Sequence, residues 1–286
     1  LSNLHPIQRP FMMKLSSLKL DILLSFAASL LLSLVVAAFQ PAPFFSAWFG
    51  ANLLLWLSFF LLLRTWRFFG SGKVLAALLL VTFFTRLLLG VFLHAALPSI
   101  GYDNAAENAG YVYSDAYLRD TQALLLARGE ESLFTAFGEE SVDQYGGLMF
   151  LSAAVYRHFN LNDSRPLFIT ILSALTMTAG LAFLFDALRK RWGEKVALAA
   201  GWFYALYPEG ILLGSSQMRE PFLIGLFGIA FWALITWREK LRWKALIFTI
   251  TVALSMIISA PFGAILAGAL LAFWLVEWLT HQPSRN

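Results

Sequence analysis

Cysteine is absent from this 286-residue chain, which excludes a disulfide framework and any thiolate metal site. Charge is scarce as well. Asp, Glu, Lys and Arg make up 13% of the residues against 59% hydrophobic ones, and the mean hydropathy is +0.70. A soluble domain of this length could not cover its surface with so few polar groups. No charge at all falls between Ile22 and Leu63, and no internal repeat or low-complexity tract interrupts the chain. What remains is a succession of runs of about 20 apolar residues, each long enough to cross a bilayer core.

The chain therefore reads as an all-α membrane protein with about eight transmembrane helices, near 20–39, 44–63, 74–97, 167–188, 196–215, 222–237, 245–260 and 262–279. The charge-free stretch is a hairpin that turns where Pro41 and Pro43 break the helix. A second break near Pro261 divides 245–279.

Orientation follows from Lys and Arg. With the N-terminus inside, the inner segments hold Arg9, Lys14, Lys19, Arg64, Arg67, Lys73, Arg189, Lys190, Arg191, Lys195, Arg238, Lys240, Arg242, Lys244 and Arg285, 15 of the 21 basic residues. Arg119, Arg128, Arg157, Arg165 and Arg219 lie outside, and Arg86 falls within a span. The net charge of +4 and pI near 9.4 thus come from clusters beside apolar spans. They mark a multi-pass protein of the cell membrane, not a nucleic-acid surface.

The stretch 146–159, GGLMFLSAAVYRHF, is apolar but short, and is expected to lie as an interfacial helix on the outer surface. The outer loop then runs over 98–166 with ten acidic residues against four basic ones. Within it, GYVYSDAYLRD (110–120) sets Asp115 and Asp120 among Tyr111, Tyr113 and Tyr117, ahead of a helix expected over 116–128. A carboxylate at a half-buried aromatic boundary can have its pKa raised and act as a general base. A solvated acidic loop gives the same composition. If the helix begins at Asp115, Arg119 follows one turn later and can pair with it. A second polar point, SSQMRE (215–220), precedes Pro221. It fits a polar hairpin tip, or a place where Arg219 meets a phosphate and Glu220 supplies a second acid.

The order of these elements resembles the GT-C membrane glycosyltransferases, in particular the family 39-like and aminoarabinose-transferase-like enzymes. The resemblance covers roughly 74–240 and is carried by Asp115 with Ala123, Ala127 and Gly129 behind it, then DQYGGLMFLSAAVYRHF (143–159), then ALYPEGILLGSSQMREPFL (205–223). It implies a tail and extra transmembrane hairpin over 1–73 and a catalytic module over 74–286 that is incomplete at its C-terminus. It also implies transfer of a sugar from a polyprenyl-phosphate donor to a lipid, glycan or protein acceptor at the outer face, with inversion.

Asp115 is then the general base, and Glu220 is the second catalytic carboxylate, which orients the acceptor or holds a divalent ion. Arg219 and Arg119 are the cations for the phosphate. Asp103, Asp120, Tyr117, Gln144, Tyr145 and Arg86 are further substrate-binding candidates. A divalent cation at Glu220 is compatible with the resemblance. The sequence departs from the family: Ala116 stands where the family has Glu, Gly146-Gly147 stands where it has prolines, the two spans before residue 74 are additions to the family core, and the family's further C-terminal helices and outer domain are missing. Two other readings stay open: a transporter or flippase of a lipid-linked or anionic solute, and a non-catalytic membrane homologue.

Overall fold

A computed structural model describes residues 15–40, 43–70, 72–138, 145–159 and 163–280. Every regular element among them is helical: α1 (Leu15–Ala38), α2 (Phe44–Phe68), α3 (Lys73–Ile100), α4 (Ala105–Asn108), α5 (Ser114–Arg128), α6 (Gly147–His158), α7 (Pro166–Trp192), α8 (Glu194–Leu206), α9 (Pro208–Gly214), α10 (Glu220–Ile235), α11 (Leu241–Ile258) and α12 (Ala260–Thr280). Five helices are long and apolar enough to cross a membrane: α1, α2, α3, α7 and α11. The number rises to six if α8 and α9 form one span. The all-α membrane architecture expected from composition is therefore present. α10 is apolar but has only 16 residues, about 24 Å of helix against a hydrocarbon core of about 30 Å.

The segment expected as one continuous span over 196–215 is broken. α8 and α9 meet at 54° because Pro208 lacks an amide hydrogen and forces Tyr207 into an extended conformation, φ −61° and ψ 117°. The break near residue 260 falls at Ser259, with Pro261 in the first turn of α12.

α7 is the central helix and packs against α2, α3, α8 and α10. Its closest neighbour is α10. A Cβ added at Gly180 would overlap the backbone of Gly225, and one at Gly228 would overlap the Gly180 carbonyl. Small residues let two backbones touch, and van der Waals contact is what holds helices together where lipid removes the hydrophobic difference. α1 and α2 are joined by a buried polar clamp in which Ser29 Oγ donates to Asn52 Oδ1 at 2.7 Å.

The helices divide the molecule into two ends. At one, basic residues surround buried acids: Asp21 pairs with Arg64 (3.1 Å) and Arg67 (2.6 Å), and Asp186 with Arg189 (2.9 Å) and Lys190 (3.1 Å). Lys190 also meets Glu239 at 2.8 Å. At the other end α4, α5 and α6 assemble over the starts of α7 and α10. The first is the basic end of the molecule and the second its loop end.

Candidate functional site at the loop end

α5 buries one stripe, Ala116, Arg119, Asp120, Ala123, Leu126 and Ala127, the spacing of a single helix face. α6 answers with Leu148, Met149, Ser152, Ala153 and Tyr156. Arg157 fixes the pair. Its guanidinium donates to the carbonyls of Leu126 (2.6 Å), Ala127 (3.2 Å), Gly129 (3.0 Å) and Glu131 (2.9 Å), groups a helix C-terminus otherwise leaves without donors.

The stripe carries a carboxylate into the interior. Asp120 is 1% exposed and accepts from Tyr111 Oη at 2.5 Å and from Tyr156 Oη. Tyr111 also shares a 3.0 Å hydrogen bond with Ser164. Burial pushes the Asp120 carboxyl up to about 6, while the two phenols, Gln217 and the charge of Arg119 pull it back toward the ordinary range. Both phenols are in turn pushed upward by burial and by the neighbouring carboxylate. Gly110, at φ +80°, makes the turn that presents Tyr111. A side chain there would collide with the His94 ring and carbonyl.

Two distant loops meet here. Arg119 Nη1 donates to the Gln217 carbonyl at 2.7 Å, and Met218 packs against the Tyr111–Ala116 cluster. Arg219 lies beside Glu220, Nε to Oε1 3.7 Å, and over the Tyr145 ring at 5.2 Å. Glu220 Oε2 is enclosed without a hydrogen-bond partner among the described residues. Burial, then Glu209 and Glu220, raises the Tyr113 phenol. Asp115, Tyr113, Glu209, Arg219 and Glu220 thus share one end of the molecule. Beneath them is a crevice of about 20 Å³ lined in part by Gly90, His94, Tyr111, Thr170, Ser215 and Gln217, room for about one water.

Several candidates stand differently from the sequence expectation. Asp115 is exposed in the first turn of α5, at the edge of the buried stripe. The enclosed aromatic setting belongs instead to Asp120, whose oxygens are engaged by tyrosines. Arg119 turns inward to Gln217. Tyr117 stacks edge-on against Tyr111 at 5.5 Å. Asp103 is exposed and accepts locally from Asn108 at 2.9 Å. Gln144 lies outside the described residues. Among the described residues no three of His, Cys, Asp and Glu form a group that could hold a metal ion.

Arg86 sits apart from this end, fully buried in the middle of α3. It donates to the carbonyls of Thr82 (3.0 Å), Ala205 (3.1 Å) and Tyr204 (3.1 Å) and to Met177 Sδ (3.3 Å).

Tyr156, Arg157 and Arg165 are positions the sequence reading passed over. Arg165 is 1% exposed, donates to Ser46 Oγ at 3.2 Å, and ties the start of α7 to the start of α2. One signal for the buried carboxylate was available: Asp120 falls in helical phase with Ala116, Ala123 and Ala127. No protein-family model, curated protein or solved structure matches the chain.

Proposed function

We propose that the protein is a multi-pass membrane glycosyltransferase that moves a sugar from a polyprenyl-phosphate donor to a hydroxyl or amine of a lipid, glycan or protein at the extracytoplasmic face. One observation carries the reading. The start of α5 and the loop before α10, nearly a hundred residues apart, are bonded through Arg119 and Gln217, which gathers Asp115, Arg219 and Glu220 at a single end. In this reading each apolar segment crosses the membrane, with α8 and α9 as one bent crossing. The basic end is cytoplasmic, and the loop end lies at the outer boundary, where a lipid-borne phosphate sits.

Asp115 is exposed and its carboxylate makes no hydrogen bond or ion pair among the described residues, so it is open to an acceptor. It removes the acceptor's proton as the acceptor oxygen or nitrogen bonds to the anomeric carbon. The bond from that carbon to the phosphate oxygen breaks on the opposite side, and the configuration inverts. The leaving group departs as an anion, so it requires a fixed cation more than a proton donor. Arg219, supported by the Tyr145 ring, supplies it, and Glu220 orients the acceptor.

The test is transfer of labelled sugar from polyprenyl phosphate by the purified chain. Asp115→Asn is expected to abolish transfer while keeping the thermal unfolding profile. Full activity in that variant removes Asp115 as the base.

The bent α8–α9 crossing favours a second reading. Discontinuous helices with polar groups near mid-depth are characteristic of transporters, and Arg86 lies at that depth. Solute flux into proteoliposomes that is indifferent to Asp115→Asn would establish this reading over the first.

A further inference from the structure

A large hollow is lined by none of the residues gathered at the loop end. Between the α1–α2 hairpin and α3 runs a groove of about 530 Å³, walled by Leu24, Ala28, Leu31, Val35, Leu63 and Leu80 among others. It continues into a second hollow of about 220 Å³ that shares Phe59, Leu63, Leu80 and Phe84 and reaches Trp66 and Ala76. Its size is that of sites for whole small molecules, about 300–1,000 Å³, yet its walls are hydrocarbon almost throughout. The one hydroxyl on the wall, Ser25 Oγ, is spent on the Asp21 carbonyl at 2.7 Å.

Length and charge identify the occupant. From Leu24 to Val35 the α1 wall rises about 16 Å at 1.5 Å per residue. That is close to one leaflet's share, about 15 Å, of a hydrocarbon core of about 30 Å. On α1 the groove starts about one turn from Asp21 at the basic end and runs toward the far end of the helix, and through Leu63, Trp66 and Ala76 it opens at the basic end.

At that mouth stand Trp66, whose Nε1 donates to the Gly72 carbonyl at 3.0 Å, and Arg67, one turn beyond Leu63. Lys73 is there too, one turn before Ala76 and two before Leu80. Lys73 is exposed and has no carboxylate partner among the described residues. Asp21 takes up part of the charge of Arg64 and Arg67, which leaves the mouth net positive. An indole at the headgroup level and basic side chains beside an apolar slot are what an anionic headgroup and its chain require.

We infer that the groove between the α1–α2 hairpin and α3 holds an acyl chain of one anionic membrane phospholipid, with its headgroup at Arg67 and Lys73. The inference is independent of the proposed reaction, since the groove contains none of the residues assigned to it. Lipid hydrocarbon is the natural filling for an apolar slot open to the bilayer, and the charge at the mouth selects the headgroup.

The test uses the full chain in mild detergent, titrated with dioleoylphosphatidylglycerol or dioleoylphosphatidylcholine and read by native mass spectrometry. One phosphatidylglycerol is expected to bind in preference to phosphatidylcholine. Lys73→Gln, on an exposed side chain, is expected to lower that preference roughly fivefold, the share of one basic residue at an anionic surface. Ala28→Phe fills the groove from a lipid-exposed wall and is expected to abolish the bound lipid of either kind. Equal binding of the two lipids, or retention of the lipid by Ala28→Phe, overturns the inference. So does a dimer that Ala28→Phe dissociates, which would make a second copy the occupant.

Discussion

Arg86 Nη2 donates to the Tyr204 carbonyl at 3.1 Å across 118 residues of chain. That carbonyl is the one Pro208, four residues on, cannot serve. In an unbroken helix the amide of residue 208 would bond to it, and proline has none. The neighbouring Ala205 carbonyl, freed by the same 54° bend, is also held by Arg86. A fully buried guanidinium thus takes the place of the helix's missing donors.

Replacing Arg86 should therefore be costly in a way that a second substitution repairs. Arg86→Met is expected to lower stability by about 1–3 kcal/mol through the unsatisfied carbonyls, seen as a reduced thermal midpoint in detergent. Adding Pro208→Ala restores an amide at that position and should recover part of the loss. A double variant no more stable than Arg86→Met would show that the carbonyls are not the reason for the arginine.

Asp120 gives the loop end a dependence on pH. Its folded carboxyl lies near 6, above the unfolded value of 3.8, so the folded state binds the proton more tightly. Its contribution is full below about 4, declines as pH rises to about 6, and is flat beyond, a change of roughly 2–3 kcal/mol. Unfolding of the wild type compared with Asp120→Asn between pH 4.5 and 8 should show a gap that changes through pH 6 and is then constant. The facing phenols, Tyr111 and Tyr156, are pushed upward and stay protonated across that window.

The contact between α7 and α10 tolerates no side chain. Gly180→Leu is expected to force the two backbones apart at a cost of about 1–3 kcal/mol or more. Gly70→Ala makes a fair contrast, since nothing stands within 4 Å of a Cβ there although its φ is +92°. It should cost less in the same melting experiment.

Sidedness can be read directly because the chain has no cysteine of its own. Tyr102 and Lys240 are exposed at opposite ends. Tyr102→Cys is expected to react with a membrane-impermeant maleimide on intact cells, and Lys240→Cys only after permeabilisation. The reverse pattern would place the loop end in the cytoplasm and end the proposed reaction.

Much of this architecture is legible in the sequence because bilayer thickness and helix periodicity leave few choices. The apolar segments are helical, α1 ends at Ala38, and α2 begins directly after Pro43. The bend at Tyr207 was also written in the chain, as a proline inside an apolar run. Its partner Arg86 was visible only as a misplaced charge, since spacing cannot say which carbonyl a distant arginine will reach. The same limit applies at the loop end. That 110–120 and 215–220 share one end follows from topology, whereas the burial of Asp120 and the exposure of Asp115 depend on which side of α5 meets α6. That is decided by Tyr156 and Arg157, on a different helix.

The glycine notch joining α7 and α10 also acts as a depth gauge. α10 is too short to adjust by tilting, and with its backbone seated against Gly180 it cannot ride up or down its neighbour. Arg219 and Glu220, at its start, are therefore held at a fixed height along α7. A thicker or thinner membrane has to be accommodated elsewhere, and the bend at Tyr207 is where the chain already has a joint.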